Sequence, residues 1–507
     1  MPPPRFARPT LHVTFAAVAV LGVLAGCGTP RTAPVTLRWI VGSSPPPFDP
    51  GGPPEPIRNA IERCLTRGLV REDSSGAAVP DVAEKVDVTP DGLIYRFTLA
   101  AGLRFADGTP CRAADFVRTF RSGLVRRDHG TTAWALSAVR GVSAIRPGKP
   151  LPELGLHAVD ERTLEIELVR RDPALLARLA VPGVSTVWSE ASGDWLRSFG
   201  LGPFRVLERT AARLELARIR AAGAPLPDTI EIRFVPSSGR VRGVLRQQGA
   251  DLVWPLPPGF ETETAPAGYR RQAGPARPAR QLALIQRADR PPTSRPSARQ
   301  ALVHGINRDD LLVLLGPEAV RTTTWAVGTP AVSFPRLDPE EIRMWKQRGK
   351  LGRSFHVNLA YRGDGPADAI ARTMQGEWAA NDIYVDLVPL RGARWIAESL
   401  DGKAHLLLVE RQPPLEDPGA DLACLVHPER GPAAGSFRTG WRTREFDPLI
   451  AGAGRGPTPR QVATRLEQEM IVLPIAGLPW VWIEREGGPT IGLDPRYGPS
   501  GQMRPAR

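Results

Sequence analysis

Two hydrophobic periods alternate along this chain. Leu93, Tyr95, Phe97 and Leu99 recur every second residue, which places them on one face of a half-buried strand. Behind the turn Asp107-Gly108-Thr109-Pro110, the apolar residues Phe116, Val117, Phe120 and Leu124 follow helical spacing instead. Thr163 to Leu168, Leu214 to Leu216 and Thr229 to Phe234 read as further strands. In the second half, Ser297 is placed to cap a helix carrying Ala301, Leu302 and Ile306, and Asn307 to cap the next, with Leu311, Leu312 and Leu315. Ile370, Met374 and Trp378 predict a helix feeding a strand on which Ile383, Val385 and Leu387 alternate. Ile471 to Ile483 is strongly apolar, yet Pro474, Gly477 and Pro479 exclude one regular helix, so it reads as an extended return between two parts of the fold. Strands and helices mixed in both halves predict an α/β protein.

The N-terminus has a different pattern. Arg5 and Arg8 form a basic start, Leu11 to Leu24 an apolar run, and small residues then lead to Cys27. That is the layout of a secretory signal over residues 1–26, too short to span a bilayer comfortably. Leu24-Ala25-Gly26-Cys27 resembles a bacterial lipobox, which implies that Cys27 is acylated and becomes the new N-terminus. The alternative is an ordinary signal with a chance cysteine. Two or more acyl chains hold a protein at a membrane, where one is marginal. The expected location is outside the cytoplasm, lipid-anchored to the cell membrane and facing periplasm or cell exterior, with residues 27–35 as a linker. No later run approaches transmembrane length.

Charge raises one rival function and then removes it. The 507 residues carry a formal net charge of +13, which brings nucleic acid into consideration. The 66 basic residues are nearly all Arg, they are scattered, and no four are consecutive, so no nucleic-acid partner is expected. Positive charge favours contact with anionic headgroups near the anchor. The chain has no Gly-x-Ser-x-Gly elbow, no His-Glu-x-x-His site and no phosphate-cradling loop. Its seven His residues are isolated and read as packing or surface. No catalytic residue, resident metal or cofactor is expected, and the protein is read as a non-enzyme.

Several segments together resemble family 5 of the extracellular solute-binding proteins, the oligopeptide and dipeptide binders of ABC importers. They run from Cys64-Leu65-Thr66-Arg67-Gly68-Leu69-Val70 through Val79-Pro80-Asp81-Val82-Ala83-Glu84 and Thr89-Pro90-Asp91-Gly92-Leu93-Ile94-Tyr95-Arg96-Phe97 to Leu103-Arg104-Phe105-Ala106-Asp107-Gly108-Thr109-Pro110. Later echoes are Gly202-Pro203-Phe204, Arg299-Gln300-Ala301-Leu302 with Ile306-Asn307-Arg308, and Phe446-Asp447-Pro448-Leu449-Ile450. Each piece alone is common turn chemistry; their collinearity carries the resemblance. It implies a two-lobed α/β clam of three subdomains with mixed sheets and a hinge between lobes. The first lobe would take residues 36–280, the second 281–483, and residues 484–507 would return to the first. It also implies a monomer that captures a peptide or other small solute in the cleft, closes on it, and hands it to an ABC permease. Cys64, Cys111 and Cys424 remain after Cys27; an exported protein permits one disulfide, with Cys64 and Cys111, both in the first lobe, as the pair, and three buried free thiols as the alternative.

The resemblance places ligand contacts at three residues. Asp417, in Glu416-Asp417-Pro418-Gly419-Ala420-Asp421-Leu422, matches the aspartate that pairs with a peptide's α-ammonium group, a charge-assisted contact common to every peptide. Asp421 is a weaker candidate for that role, and a solvated Asp-Pro turn is the alternative reading of Asp417. Phe48, in Phe48-Asp49-Pro50, lies in the loop after the first strand, where the family lines its cleft. Trp254 follows the strand-like Ala250-Asp251-Leu252-Val253 near the lobe crossing, though such a tryptophan also serves as packing. Trp441, Trp480 and Trp482 are weaker. The chain departs from the family at Ala100-Ala101 in place of a charged pair, at Gln286 in place of Asn, and in lacking Tyr-Trp before Pro225. A metal-chelate or haem ligand, a sensory or structural clam without transport, and a surface hydrolase are the competing readings.

Overall fold

Strand β1 (Thr36–Val41) shows how the apolar pattern is spent: Leu37, Trp39 and Val41 enter one core and Ile40 another, so the strand is covered on both sides. The computed structural model describes residues 34–43, 56–73, 77–125, 131–146, 148–189, 199–219, 226–257, 259–260, 263–274, 280–322, 335–363, 367–411, 437–441, 459–489, 492–494 and 498–500. Apart from Pro34 these belong to one compact unit, Val35–Arg507. After β1 come α1 (Pro56–Leu65), β2 (Val70–Glu72), β3 (Ala78–Pro80), β4 (Ala83–Val88), β5 (Ile94–Leu99), α2 (Ala113–Leu124), α3 (Thr131–Ala135), β6 (Leu156–Ala158), β7 (Thr163–Glu167) and α4 (Leu175–Ala180). Then follow β8 (Phe204–Arg209), β9 (Arg213–Arg218), β10 (Thr229–Phe234), α5 (Ser238–Arg246), β11 (Leu252–Val253) and β12 (Tyr269–Ala273). The second half contributes β13 (Arg280–Gln286), α6 (Pro296–His304), α7 (Arg308–Leu314), α8 (Pro339–Arg348), β14 (Phe355–Arg362), α9 (Ala367–Ala379), β15 (Ile383–Leu390), α10 (Gly392–Asp401), β16 (Leu406–Arg411), α11 (Pro459–Gln468) and β17 (Val472–Leu478). β18 (Val481–Arg485), β19 (Gly492–Asp494) and β20 (Gly498–Ser500) close the chain.

Two large mixed sheets define a two-lobed α/β clam. The first has the order β12-β18-β11-β1-β10-β9-β8. In it β1 runs parallel to β10 and β11, and every other pairing is antiparallel. The second has the order β15-β14-β16-β13-β17, with β14 parallel to both neighbours and β13 antiparallel to both. Leu282 and Leu284 face one core and Ala283 and Ile285 another, and Leu406 to Val409 alternate the same way. Cover on both faces is why these strands read as unbroken apolar runs. A third, antiparallel sheet, β4-β5-β7-β6, packs one face on α2 and α4 in a core of its own.

Local chemistry explains most boundaries. Tyr95, Phe97 and Leu99 are buried along β5 while Arg96 is exposed, with Leu93 just ahead of the strand. In the turn before α2, Gly108 adopts φ +90°, and Thr109 N–H donates to Asp107 Oδ1 at 2.9 Å. Phe116, Phe120 and Leu124 are the buried face of α2, with Val117 at its margin. Asn307 caps α7, its side chain accepting from Asp309 N–H at 3.2 Å. Ser297 does not cap α6: the helix begins at Pro296, whose fixed φ and missing N–H suit the first helical position, and Ser297 falls inside the first turn. Ile306 is buried beyond the end of that helix.

The apolar stretch from Ile471 to Ile483 forms two strands, β17 in the second sheet and β18 in the first, joined through Pro479 and Trp480. Pro474 is tolerated because β17 is the last strand of its sheet and a register shift opposite Leu282 and Ala283 relieves the ladder. Cys64 and Cys111 are free, buried thiols in separate cores, so the disulfide is not formed. Burial pushes each up to about 12.

Candidate functional site

In an open α/β sheet, a ligand meets the crevice outside the carboxyl ends of parallel strands. Here those ends are Val41, Phe234 and Val253 in the first sheet, and Arg362, Leu390 and Arg411 in the second. Trp254 directly follows β11. Phe48 lies on the segment leaving β1 and Asp417 on the one leaving β16; both residues, with Asp421 and Cys27, fall outside the described residues. All three candidate contacts therefore belong to segments that begin at the carboxyl end of a parallel strand.

Trp254 is held from both sides. Ahead of it, the nearly fully buried carboxylate of Asp251 accepts from Arg38 backbone N–H at 2.8 Å and from Arg38 Nε and Nη2 at 3.1 Å each, and Arg485 Nη2 lies 2.8 Å away. These contacts bind β1, β11 and β18 together, and donating to Asp251 holds the Arg38 guanidinium above its usual pKa. The Trp254 ring is 0% exposed, edge-on to Trp480 at 4.9 Å and 66°, and 6.0 Å from Trp39. Trp39 Nε1 donates to the Trp254 carbonyl at 2.6 Å, whereas Trp254 Nε1 has no hydrogen-bond partner among the described residues. In this arrangement the ring is a packing element behind the crossing. Trp441 is buried in the second sheet's core, and Trp482 Nε1 donates to Glu484 at 3.1 Å.

The chain passes between the two sheets twice, from β12 to β13 and from β17 to β18. The passages touch: Gly274 N–H donates to Trp480 O at 2.8 Å. Arg280, at the start of β13, lays its guanidinium 3.9 Å from the Trp480 ring centroid and pairs with Glu410 of β16. Arg271 of β12 forms a two-pronged pair with Glu318, Nε to Oε1 at 2.6 Å and Nη2 to Oε2 at 2.8 Å. Hydrogen bonding from Arg271 holds Glu318 below the usual glutamate range. Arg411, 1% exposed, reaches Gln281 Oε1 at 3.4 Å where β16 ends. Sequence reasoning missed Arg271, Arg280 and Arg411 because their partners Glu318, Glu410 and Gln281 lie 47 to 130 positions away, with no local period to announce them.

Gln286, a departure from the family pattern, is fully buried and donates through Nε2 to Met470 O at 2.8 Å and Arg299 O at 3.2 Å. Its role is to tie backbone segments of the second lobe. Among the described residues, no group of three or more His, Cys, Asp or Glu side chains is placed to hold a metal ion, and no helix is long and apolar enough to cross a membrane.

Known proteins resemble this geometry and sequence. The model of bacterial extracellular solute-binding proteins, family 5, matches residues 77–432. The periplasmic murein peptide-binding protein MppA of Escherichia coli is 34% identical over 158 residues, 29% of each chain. The probable deoxycholate-binding periplasmic protein YgiS of the same organism is 32% identical over 337 residues, 61% of each chain. The chain spans 26% to 61% of the length of three curated relatives it matches. The solved Escherichia coli murein tripeptide binding protein MppA superposes with a TM-score of 0.77 at 19% identity, covering 93% of this chain and 97% of that one.

Proposed function

The chain belongs to family 5 of the bacterial extracellular solute-binding proteins, and from that premise we propose that it captures a peptide, or a small solute of similar chemistry, between its lobes and delivers it to an ABC permease. What supports this reading is that the three candidate residues follow, in sequence, strands that run parallel to a neighbour in the two large sheets, at whose carboxyl ends such folds take their ligands. Asp417 supplies the carboxylate for the ligand's ammonium group, Phe48 covers apolar groups from the first lobe, and Trp254 backs the cleft where the lobes join. The first lobe comprises residues 36–280 with the return 484–507, and the second 281–483; the separate sheets support this division, with the difference that the last sheet-crossing falls between Leu478 and Val481, so residues 481–483 go with the first sheet. The protein works as an exported monomer held to the membrane by acylated Cys27.

Asp417→Asn tests the peptide reading. Calorimetry should show affinity for a free-amine tripeptide falling by about tenfold or more, with binding of its N-acetylated form nearly unchanged, because only the former presents a charge to the anchor. Equal losses for both peptides remove Asp417 from that role. Cys27→Ser tests the anchor separately: fractionation should find the variant released from membranes, and continued membrane retention would overturn lipidation at Cys27.

A further inference from the structure

We infer that the Arg271–Glu318 pair is a tie across the lobe crossing, which holds the two sheets in the mutual arrangement of this structure and so sets how readily the lobes swing. Arg271 belongs to the first sheet: β12 pairs with β18, placing Arg271 opposite Ile483. Its Nη1 donates to Phe260 O at 3.0 Å and Glu263 O at 3.2 Å, so the guanidinium is fixed to the first lobe before it meets Glu318. Glu318 belongs to the second lobe. Two residues on, Val320 exchanges both backbone hydrogen bonds with Gly477 of β17, N–H to O at 3.0 and 2.8 Å. Each partner is therefore anchored close to one of the two passages, on opposite sides of the joint.

Geometry gives the pair more leverage than an ordinary surface contact. The side chains are 15% and 20% exposed, and both prongs of the fork are engaged at 2.6 and 2.8 Å. A two-pronged guanidinium–carboxylate contact tolerates little sliding, so a hinge rotation that shifts one lobe past the other breaks both hydrogen bonds together. Beside it, the contact of Gly274 N–H with Trp480 O ties the two passages directly and reports on the same motion. The inference rests on the two-lobed fold and not on the identity of the solute. Removing the tie enlarges the population of other lobe arrangements, and apparent affinity for any solute changes by the fraction of binding-competent molecules gained or lost.

The test uses solute-free, full-length protein. Glu318→Gln keeps the shape of the side chain and removes its charge without touching the carbonyl contacts of Arg271. In small-angle scattering at low salt, its radius of gyration should move away from the wild-type value, and high salt should carry the wild type toward the variant. Amide exchange at residues 274, 477, 478, 480 and 481 should accelerate about three- to tenfold, while protection of the antiparallel sheet stays unchanged. The double charge reversal, Arg271→Glu with Glu318→Arg, should return both readouts toward wild type. Scattering and exchange identical to wild type in Glu318→Gln overturn the inference. So does a uniform loss of protection across the antiparallel sheet as well, since that would mark general destabilisation.

Discussion

The antiparallel sheet of the first lobe and the five-stranded sheet of the second use arginine in opposite ways. On the antiparallel sheet, Arg96 reaches Glu165 on the neighbouring strand at 2.7 Å and Arg162 reaches Glu84 at 2.6 Å, with the guanidiniums about half exposed. The core beneath is apolar. Around the five-stranded sheet, Arg287, Arg299 and Arg308 are buried and turn their guanidiniums onto backbone carbonyls. Arg287 donates to Gly402 O at 2.6 Å, Arg438 O at 3.1 Å and Ser399 O at 3.2 Å, and to Glu398 O, joining carbonyls at the end of α10 to the segment at Arg438. Arg299 serves Thr293 O and Glu469 O, and Arg308 serves Ile475 O and Thr322 O. Burial, aided by Arg290 and Arg321 respectively, lowers Arg287 and Arg308 to about 10, which leaves both charged at neutral pH. The first arrangement decorates a finished core; the second mortars irregular connections that no apolar residue could satisfy.

The largest expected effect follows from breaking that mortar. Arg287→Met should cost about 3–5 kcal/mol in urea-induced unfolding, because it removes the buried cation that pairs with Glu398 and, with it, the hydrogen bonds that hold four carbonyls of two segments together. A loss below about 1 kcal/mol would mean that the guanidinium merely accompanies these contacts. The second lobe also contains a counter-example, a half-buried acid that meets no guanidinium among the described residues. Glu377 accepts Asn307 N–H at 3.1 Å through one oxygen, while the other has no partner among the described residues. Burial, reinforced by Asp310, raises its pKa. A carboxyl raised on folding favours the folded state while protonated, and that advantage fades as pH climbs through the ordinary glutamate range toward the folded value. Glu377→Gln should therefore raise stability at pH 7 by up to about 1 kcal/mol and change little at pH 4, measured by thermal melts at both pH values. The smallest effect belongs to Arg96→Ala, expected to cost less than about 1 kcal/mol and to lose most of that dependence in high salt.

The same contrast divides what could be read from the sequence. Tyr95-Phe97-Leu99 and Phe116-Phe120-Leu124 are legible because a surface-facing sheet and an amphipathic helix impose a single period on neighbouring residues. Asn307 is legible as a cap, but Ser297 is not what it promised, since a preceding proline competes for the helix start. The buried arginines carry no such mark: Arg287 meets carbonyls more than 100 residues away, and Arg271 meets Glu318 across 47. For the site, the strand preceding Trp254 is visible as an apolar run, and the fixing of that strand by Arg38, Asp251 and Arg485 is not, because it joins three strands distant in sequence.

The position of β18 bears on the order in which the protein can be completed. It lies inside the first sheet, hydrogen-bonded to β11 on one side and β12 on the other, although more than 200 residues separate it from both neighbours. The antiparallel sheet with α2 and α4, and the strands of the second lobe up to β17, can assemble from residues made earlier. The first sheet cannot close until Val481–Arg485 have emerged, so until then β12 has no partner strand and β11 is an open edge. A chain cut short before Val481 would keep most of its hydrophobic cores and still leave an open strand edge, a route to aggregation instead of a smaller working protein.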